Sequence, residues 1–290
     1  MATGHADPVS VIGHPGNRKQ VKRRSRRKQM PMWQKLVFPI VIPVVVVAVW
    51  QYIGSNGLIA GGLFPSASES LMSLFEWIFG ERGSNYFAGT WIDAVLTSTA
   101  RVAAGFSIGT ILAIVLGLLG GVSDSIRRIV DPSVNAIRPI SVTAWVPIAL
   151  IVFGIGYQPA IFLTALGTFF PVYVNTLSGA RYSEGKLVQA AQMMGATRWQ
   201  TLRRVTLPAT LPSIAVGMRV GAAIAWTCVV VAEMLGAKSG LGYTLILSYQ
   251  QFEFGYIVAA MVSIGLCGYI TDKLLEHFVE RKLRWATGNK

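Results

Sequence analysis

Residues 102–122 read VAAGFSIGTILAIVLGLLGGV, twenty-one positions without an Asp, Glu, Lys or Arg. A helix rising about 1.5 Å per residue needs about 20 such residues to cross a hydrocarbon core of about 30 Å. Within the stretch Gly105, Gly109, Ala113, Gly117 and Gly121 recur at every fourth position, so the small residues line one helix face. Helices in lipid associate through van der Waals contact, and a small-residue strip lets a second backbone come close. The strip marks a scaffold helix whose partner lies either in this chain or in a second copy. Gly217, Gly221 and Ala225 repeat the pattern further on.

Five more stretches meet the length and polarity criterion, giving predicted spans at 36–52, 102–122, 138–154, 160–177, 213–233 and 256–275. The third contains Pro139 and Pro147. A proline inside a membrane helix frees a carbonyl that protein or a water-filled cavity must satisfy, so this span either lines a pathway or is simply kinked. Composition agrees with membrane embedding: 52% of the 290 residues are hydrophobic and only 13% charged, about half the charge of a soluble domain. The predicted class is an all-α, polytopic transmembrane helix bundle of six spans.

The net charge of +13 would suit a nucleic-acid binder, but its distribution argues for topology instead. With the N-terminus inside, 22 of the 26 Lys and Arg fall in cytoplasmic segments, three (Arg82, Arg101 and Lys238) fall outside, and Arg219 lies within a span. Both termini are expected in the cytoplasm of a plasma (inner) membrane protein, with anionic membrane lipid rather than nucleic acid facing the KRRSRRK cluster. Residues 1–31 are read as a disordered basic tail, 32–285 as the transmembrane domain and 286–290 as a short cytoplasmic tail. Outside, 64–80 is read as a helix capped by Ser66 and Glu69. Its apolar residues Leu71, Met72, Leu74, Phe75 and Ile78 suit either the membrane interface or the ends of the spans.

Several chemistries are excluded. Cys228 and Cys267 sit in apolar runs, and His5, His14 and His277 have no metal-ligand spacing, so no metal site and no catalytic residue are assigned. The stretch GARYSEGK at 179–186 has one residue too many between its glycines and Leu187 where a phosphate loop needs Ser or Thr. It is not a nucleotide site.

The longest predicted cytoplasmic loop, 179–212, carries the functional signal. Ser183 and Glu184 suit a helix start, Leu187, Ala190, Ala191 and Met194 fall at helical spacing, and Gly195 suits a left-handed C-terminal cap. Thr197 then caps a second short helix through Trp199, Leu202 and Val205 as far as Leu207 and Pro208. Two short helices bent at Gly195 result, with Ala190 and Ala191 leaving a shallow surface for a partner's groove.

The sequence Ala190-Ala191, three residues, Gly195, nine residues, Val205, one residue, Leu207-Pro208 resembles the EAA loop of membrane permease subunits of ATP-binding-cassette importers, whose pattern is E-A-A-x3-G-x9-I-x-L-P. Gln189 stands where the family has Glu, and Val205 replaces Ile. The stretches WVPIALIVFGIG at 145–156, LPSIAVGMRVG at 211–221 and AEMLGAKSGLG at 232–242, with Asp272 and Leu283-Arg284-Trp285, are similar to the nitrate/sulfonate/taurine-type permeases. The resemblance spans roughly 64–285. At Tyr157 that branch often has an acidic residue, which bears on the external mouth.

The resemblance implies a type I importer permease acting as a homodimer, with two cytoplasmic ATPase subunits and an external solute-binding protein as partners. ATP and magnesium would be held by the ATPase, with no cofactor on this chain. It implies ATPase coupling through Gln189, Ala190, Ala191, Gly195, Leu207 and Pro208. The solute would be a small anion of the nitrate, sulfonate, taurine or bicarbonate class. An ion-coupled secondary transporter is the alternative, but it needs intramembrane acidic or histidine relays, and the spans offer only Glu233 and Asp272 near their ends. Trp145, Pro147, Arg219, Trp226 and Glu233 are the candidate pathway or gate residues, each with a structural reading beside it. Arg219 attracts an anion or snorkels to the surface. Glu233 positions a gate or caps a loop with Lys238. Trp145 and Trp226 line the path or fill the core, and Asp272 pairs with Lys273 at the membrane edge. Gly240 and Gly242 belong to a gate element or to a turn needing positive backbone angles.

Overall fold

The structure, a computed structural model, describes residues 32–59, 63–182 and 187–282. The predicted basic tail at 1–31, the helix start at Ser183 and Glu184, and the terminal motif at 283–285 lie outside the described residues, as does the tail at 286–290. The chain divides between Val47 and Ala48 into two units. The described residues of the first are helical, part of α1 (Met32–Ser55), and its Val41, Val44, Val45 and Val46 are exposed.

Among the described residues of the second unit, four helices are long and apolar enough to cross a bilayer: Trp91–Val122, Tyr157–Tyr182, Trp199–Gly236 and Phe254–Arg281. The first two are α3 (Trp91–Val122) and α6 (Tyr157–Tyr182). The third comprises α8 (Arg198–Thr201), a π-helical turn over Leu202–Thr206 and α9 (Leu207–Gly236), and the fourth lies within α11 (Phe254–Lys282). All four extend beyond the predicted spans at 102–122, 160–177, 213–233 and 256–275. Polar ends such as Asp93 and Arg181 continue the helical hydrogen-bond ladder outside the apolar window.

The glycine strip explains how they pack. Gly105 and Gly117 press on Thr164 and Thr176, where an added Cβ would lie 2.6 and 2.8 Å from the threonine Cβ atoms, and Gly109 and Gly121 meet Ala165 and Ala180. The partner of the strip is therefore α6 of the same chain, running parallel to α3. An adjoining face of α6 receives α9 antiparallel, with Gly217 against Val172 and Asn175 and Gly221 against Thr168. With no water to expel inside the bilayer, this backbone-level contact is what holds the three helices.

Parallel α3 and α6 require residues 123–156 to return from one end of the bundle to the other. They do so as a broken path: α4 (Asp124–Ile137), a 3-10 turn at Val142–Trp145 and α5 (Val146–Phe153), bent by 90°. The single span predicted at 138–154 is thus corrected to half of a bent pair. Pro139 has no N–H to extend the α4 ladder, whereas Pro147 sits in the first turn of α5, where that N–H has no intrahelical partner to lose. Gly154, at φ 73°, then ends α5.

At the end where α3, α6 and α11 begin lies α2 (Ala67–Phe79), capped reciprocally by Ser66 and Glu69 as predicted. The helix satisfies both readings of its apolar residues. Ser70 and Trp77 are buried, while Leu71, Met72, Phe75 and Phe79 are exposed. At this same end α10 (Leu241–Gln250) is inserted between α9 and α11.

Candidate functional site: the two ends of one long helix

The described part of the loop at 179–212 includes α7 (Leu187–Met193) followed by α8. Gly195, at φ 82°, ends α7: its N–H donates to the Gln192 carbonyl at 2.9 Å, and that of Ala196 to Ala191 at 3.0 Å. These two bonds satisfy carbonyls that a helix C-terminus leaves open. Thr197 and Gln200 then cap each other, the Gln200 N–H donating to Thr197 Oγ1 at 3.3 Å and the Thr197 N–H to Gln200 Oε1 at 2.9 Å.

Here the structure separates residues that the sequence treats alike. Ala190 and Gln189 are exposed, whereas Ala191 is only 4% exposed and faces inward. The exposed surface here is formed by Gln189 and Ala190, with Met193, Met194 and Trp199 88%, 82% and 67% exposed. Contrary to the expectation from sequence, Leu207 and Pro208 do not end the second helix. The Leu207 N–H reaches back five residues to the Leu202 carbonyl, forming a π turn, and Pro208 enters within the first turn of α9. The wider turn reorganises the ladder just ahead of the missing proline donor, so the helix runs unbroken for 38 residues from Trp199 to Gly236.

At its far end that helix carries Glu233, whose side chain is wholly buried. Its partner is Arg101 of α3, at 2.7 Å and itself 1% exposed. Of the two sequence readings of Glu233, the loop cap with Lys238 is not the arrangement formed, and Arg101, counted with the outside charges, is buried within α3. The carboxylate also accepts Ser98 Oγ–H, at 2.9 and 2.8 Å from its two oxygens, and the N–H of Gly242 at 2.9 Å. Gly242 belongs to the first turn of α10, so a negative charge sits at a helix N-terminus, where it is favoured. Arg101 continues to the Ser239 carbonyl at 2.6 Å and Ser239 Oγ at 3.3 Å. Its guanidinium lies 4.3 Å from the centre of the Tyr157 ring. Tyr157 thereby offers Arg101 a π face. Gly240, at φ 115°, has the positive angle read from sequence, and a Cβ there would fall 2.5 Å from the Glu233 carboxyl.

Arg219 is not free: it forms a two-point pair with Asp272 of α11 at 2.9 and 2.8 Å. The expected Asp272–Lys273 pair is not the one formed, because Lys273 turns to Glu276 at 2.7 Å. Residues 272 and 273 point about 100° apart around a helix. Trp226 is buried and donates its indole N–H to Thr271 Oγ1 at 3.1 Å, beside a cavity of about 610 Å³ lined also by Phe106, Ser107 and His277. Trp145 packs against the same apolar core with its indole nitrogen unpartnered, and Pro147 is exposed. The structure therefore joins Trp145 and Trp226 through one core but keeps Arg219 and Glu233 in separate ion pairs. Arg101 was missed in the sequence because a charge near a span end looks like any interfacial arginine.

Residues 109–284 match the family described as binding-protein-dependent transport system inner membrane component. A putative ABC transporter permease protein of Methanocaldococcus jannaschii is 34% identical over 255 residues, covering 87% of this chain and 93% of that one. The putative aliphatic sulfonates transport permease protein SsuC of Bacillus subtilis is 31% identical over 269 residues, covering 93% of each. Among solved structures, a chain of the MetNI methionine ABC transporter in inward facing conformations superposes with a TM-score of 0.52 at 24% identity, over 67% of this chain and 94% of that one. The bundle, the bent loop and these matches together identify the chain as a multi-pass membrane protein belonging to the ABC importer permease family of binding-protein-dependent inner-membrane components.

Proposed function

We propose that this permease forms, with a second copy of itself, the path by which a small anion enters the cell, and that two ATPase subunits drive it from the α7 end. The observation carrying this reading is the exposed Gln189–Ala190 surface on a two-helix handle continuous with a 38-residue helix. A groove closing on that handle can shift α9 bodily, the kind of interface motion by which packed helices switch between discrete arrangements. ATP and magnesium are bound and hydrolysed on the partner subunit. Both termini lie in the cytoplasm, as the Lys and Arg distribution argues, and a solute-binding protein delivers the solute at the α10 end. Relatives named for aliphatic sulfonates are 31% and 34% identical and one named for bicarbonate is 29% identical, which supports a small anion and puts a sulfonate first for testing.

Affinity purification of the tagged chain in mild detergent, followed by reconstitution with its co-purifying ATPase and binding protein, tests this. ATP-dependent accumulation of an aliphatic sulfonate such as taurine is the expected result, with nitrate and bicarbonate run in parallel. A chain that purifies without any ATPase and takes up solute only under a proton or sodium gradient would replace the reading with the secondary-transporter alternative.

A further inference from the structure

The handle at Ala190 leads into one end of the helix Trp199–Gly236, and the cluster at Glu233 sits at its other end, about 50 Å from Trp199 at 1.5 Å per residue. We infer that Ser98 and Arg101 are positioning residues that fasten α10 to the far end of this helix, so that α10 travels with α9 and α3 as one body instead of swinging open by itself. This rests on the transport reading above, in which the handle is what the ATPase moves.

Four observations carry it. Ser98 Oγ donates to Glu233 while accepting the Leu241 N–H at 2.8 Å, so one hydroxyl joins α3, α9 and the first residue of α10. Arg101 joins the same carboxylate to the 237–240 connection through Ser239. Gly240 and Gly242 are the residue type that lets the backbone approach Glu233 this closely, since a Cβ at Gly242 would lie 2.5 Å from the Val230 carbonyl oxygen. Finally, Leu241, Thr244 and Ser248 are buried within the single protomer, so this face of α10 is seated on its own chain. Separating the Arg101–Glu233 pair would strand two charges in a dry interior. A structure that must open and close repeatedly at this end does so at lower cost by moving the fastened elements together, leaving the opening to form between copies.

The test uses the full complex with Cys228→Ala, Cys267→Ser and Ser248→Cys, labelled with fluorescein maleimide at rest and during ATP hydrolysis. Ser248 is 0% exposed, so labelling is expected to stay below about a tenth of the denatured control in both states. Adding Glu233→Gln should raise it by about tenfold while ATP hydrolysis stays within about twofold, a split that general unfolding would not produce. Full labelling of the Glu233 protein during turnover, or no labelling after Glu233→Gln, overturns the inference. If Glu233→Gln fails to assemble, the turnover comparison decides alone. If no ATPase accompanies the chain, the transport reading falls, whereas the effect of Glu233→Gln on labelling is still read on the purified permease.

Discussion

Arg219 and Asp272 meet as a fork, Nε 2.9 Å from one carboxylate oxygen and Nη2 2.8 Å from the other, tying α9 to α11. Glu276 stands 3.8 Å away on the same side. Both partners of the fork are 40% exposed, unlike the sealed pair at the other end of α9. Geometry favours the interaction and exposure weakens it. A double-mutant cycle with Arg219→Ala and Asp272→Ala, read by thermal unfolding in detergent, should give a coupling energy of about 0.5–1 kcal/mol. A coupling near zero would reduce the fork to two independent surface charges.

Burial separates the two alanines of the loop. Ala190 is exposed and Ala191 is not, so Ala190→Trp should leave the permease folded and reduce ATPase co-purification by about tenfold or more, while Ala191→Trp overpacks its site at a cost of about 1–3 kcal/mol. Pull-down yield and melting temperature, measured for both, distinguish them. Equal ATPase recovery from wild type and Ala190→Trp would remove Ala190 from the contact.

The glycine strip should tolerate no added carbon. Gly109→Ala places its Cβ against the Ala165 backbone and should destabilise by about 1–3 kcal/mol. Gly265→Ala, on α11, has nothing within 4 Å and should be neutral or stabilising by up to about 1 kcal/mol through helix propensity. Unfolding of the two variants side by side checks the contrast, which local propensity alone would not produce.

Tyr157 gives Arg101 an aromatic face at 4.3 Å. Tyr157→Phe should be nearly silent, because the face is kept, whereas Tyr157→Leu should cost about 0.5–2 kcal/mol, the range for a cation over an aromatic ring. Melting temperatures of the two variants test it. A Tyr157→Phe loss as large as that of Tyr157→Leu would assign the effect to the hydroxyl instead.

Much of this protein is legible along the chain because its signals are local. Apolar runs as long as a bilayer is thick announce α3, α6, α9 and α11, the Ser66–Glu69 reciprocity starts α2, and Gly195 stops α7, each depending on residues a few positions apart. The alanine-glycine-proline spacing of the loop likewise named the family before any coordinate did. Proline position suggested that the third span was irregular, but not that it would divide into two helices at 90°.

Composition, periodicity and charge bias by themselves determined an all-helical membrane protein, and the spacing within its longest loop supplied the resemblance that pointed to a permease. Tertiary structure alone decided that the glycine strip meets α6 of the same chain, that Ala191 faces inward beside an exposed Ala190, and that Glu233 pairs with Arg101 and not with Lys238. The physical reason is range. A helix is specified by bonds spanning four residues, whereas the Arg101–Glu233 pair joins positions 132 residues apart and exists only once α3, α6 and α9 have packed close enough to exclude water from both charges.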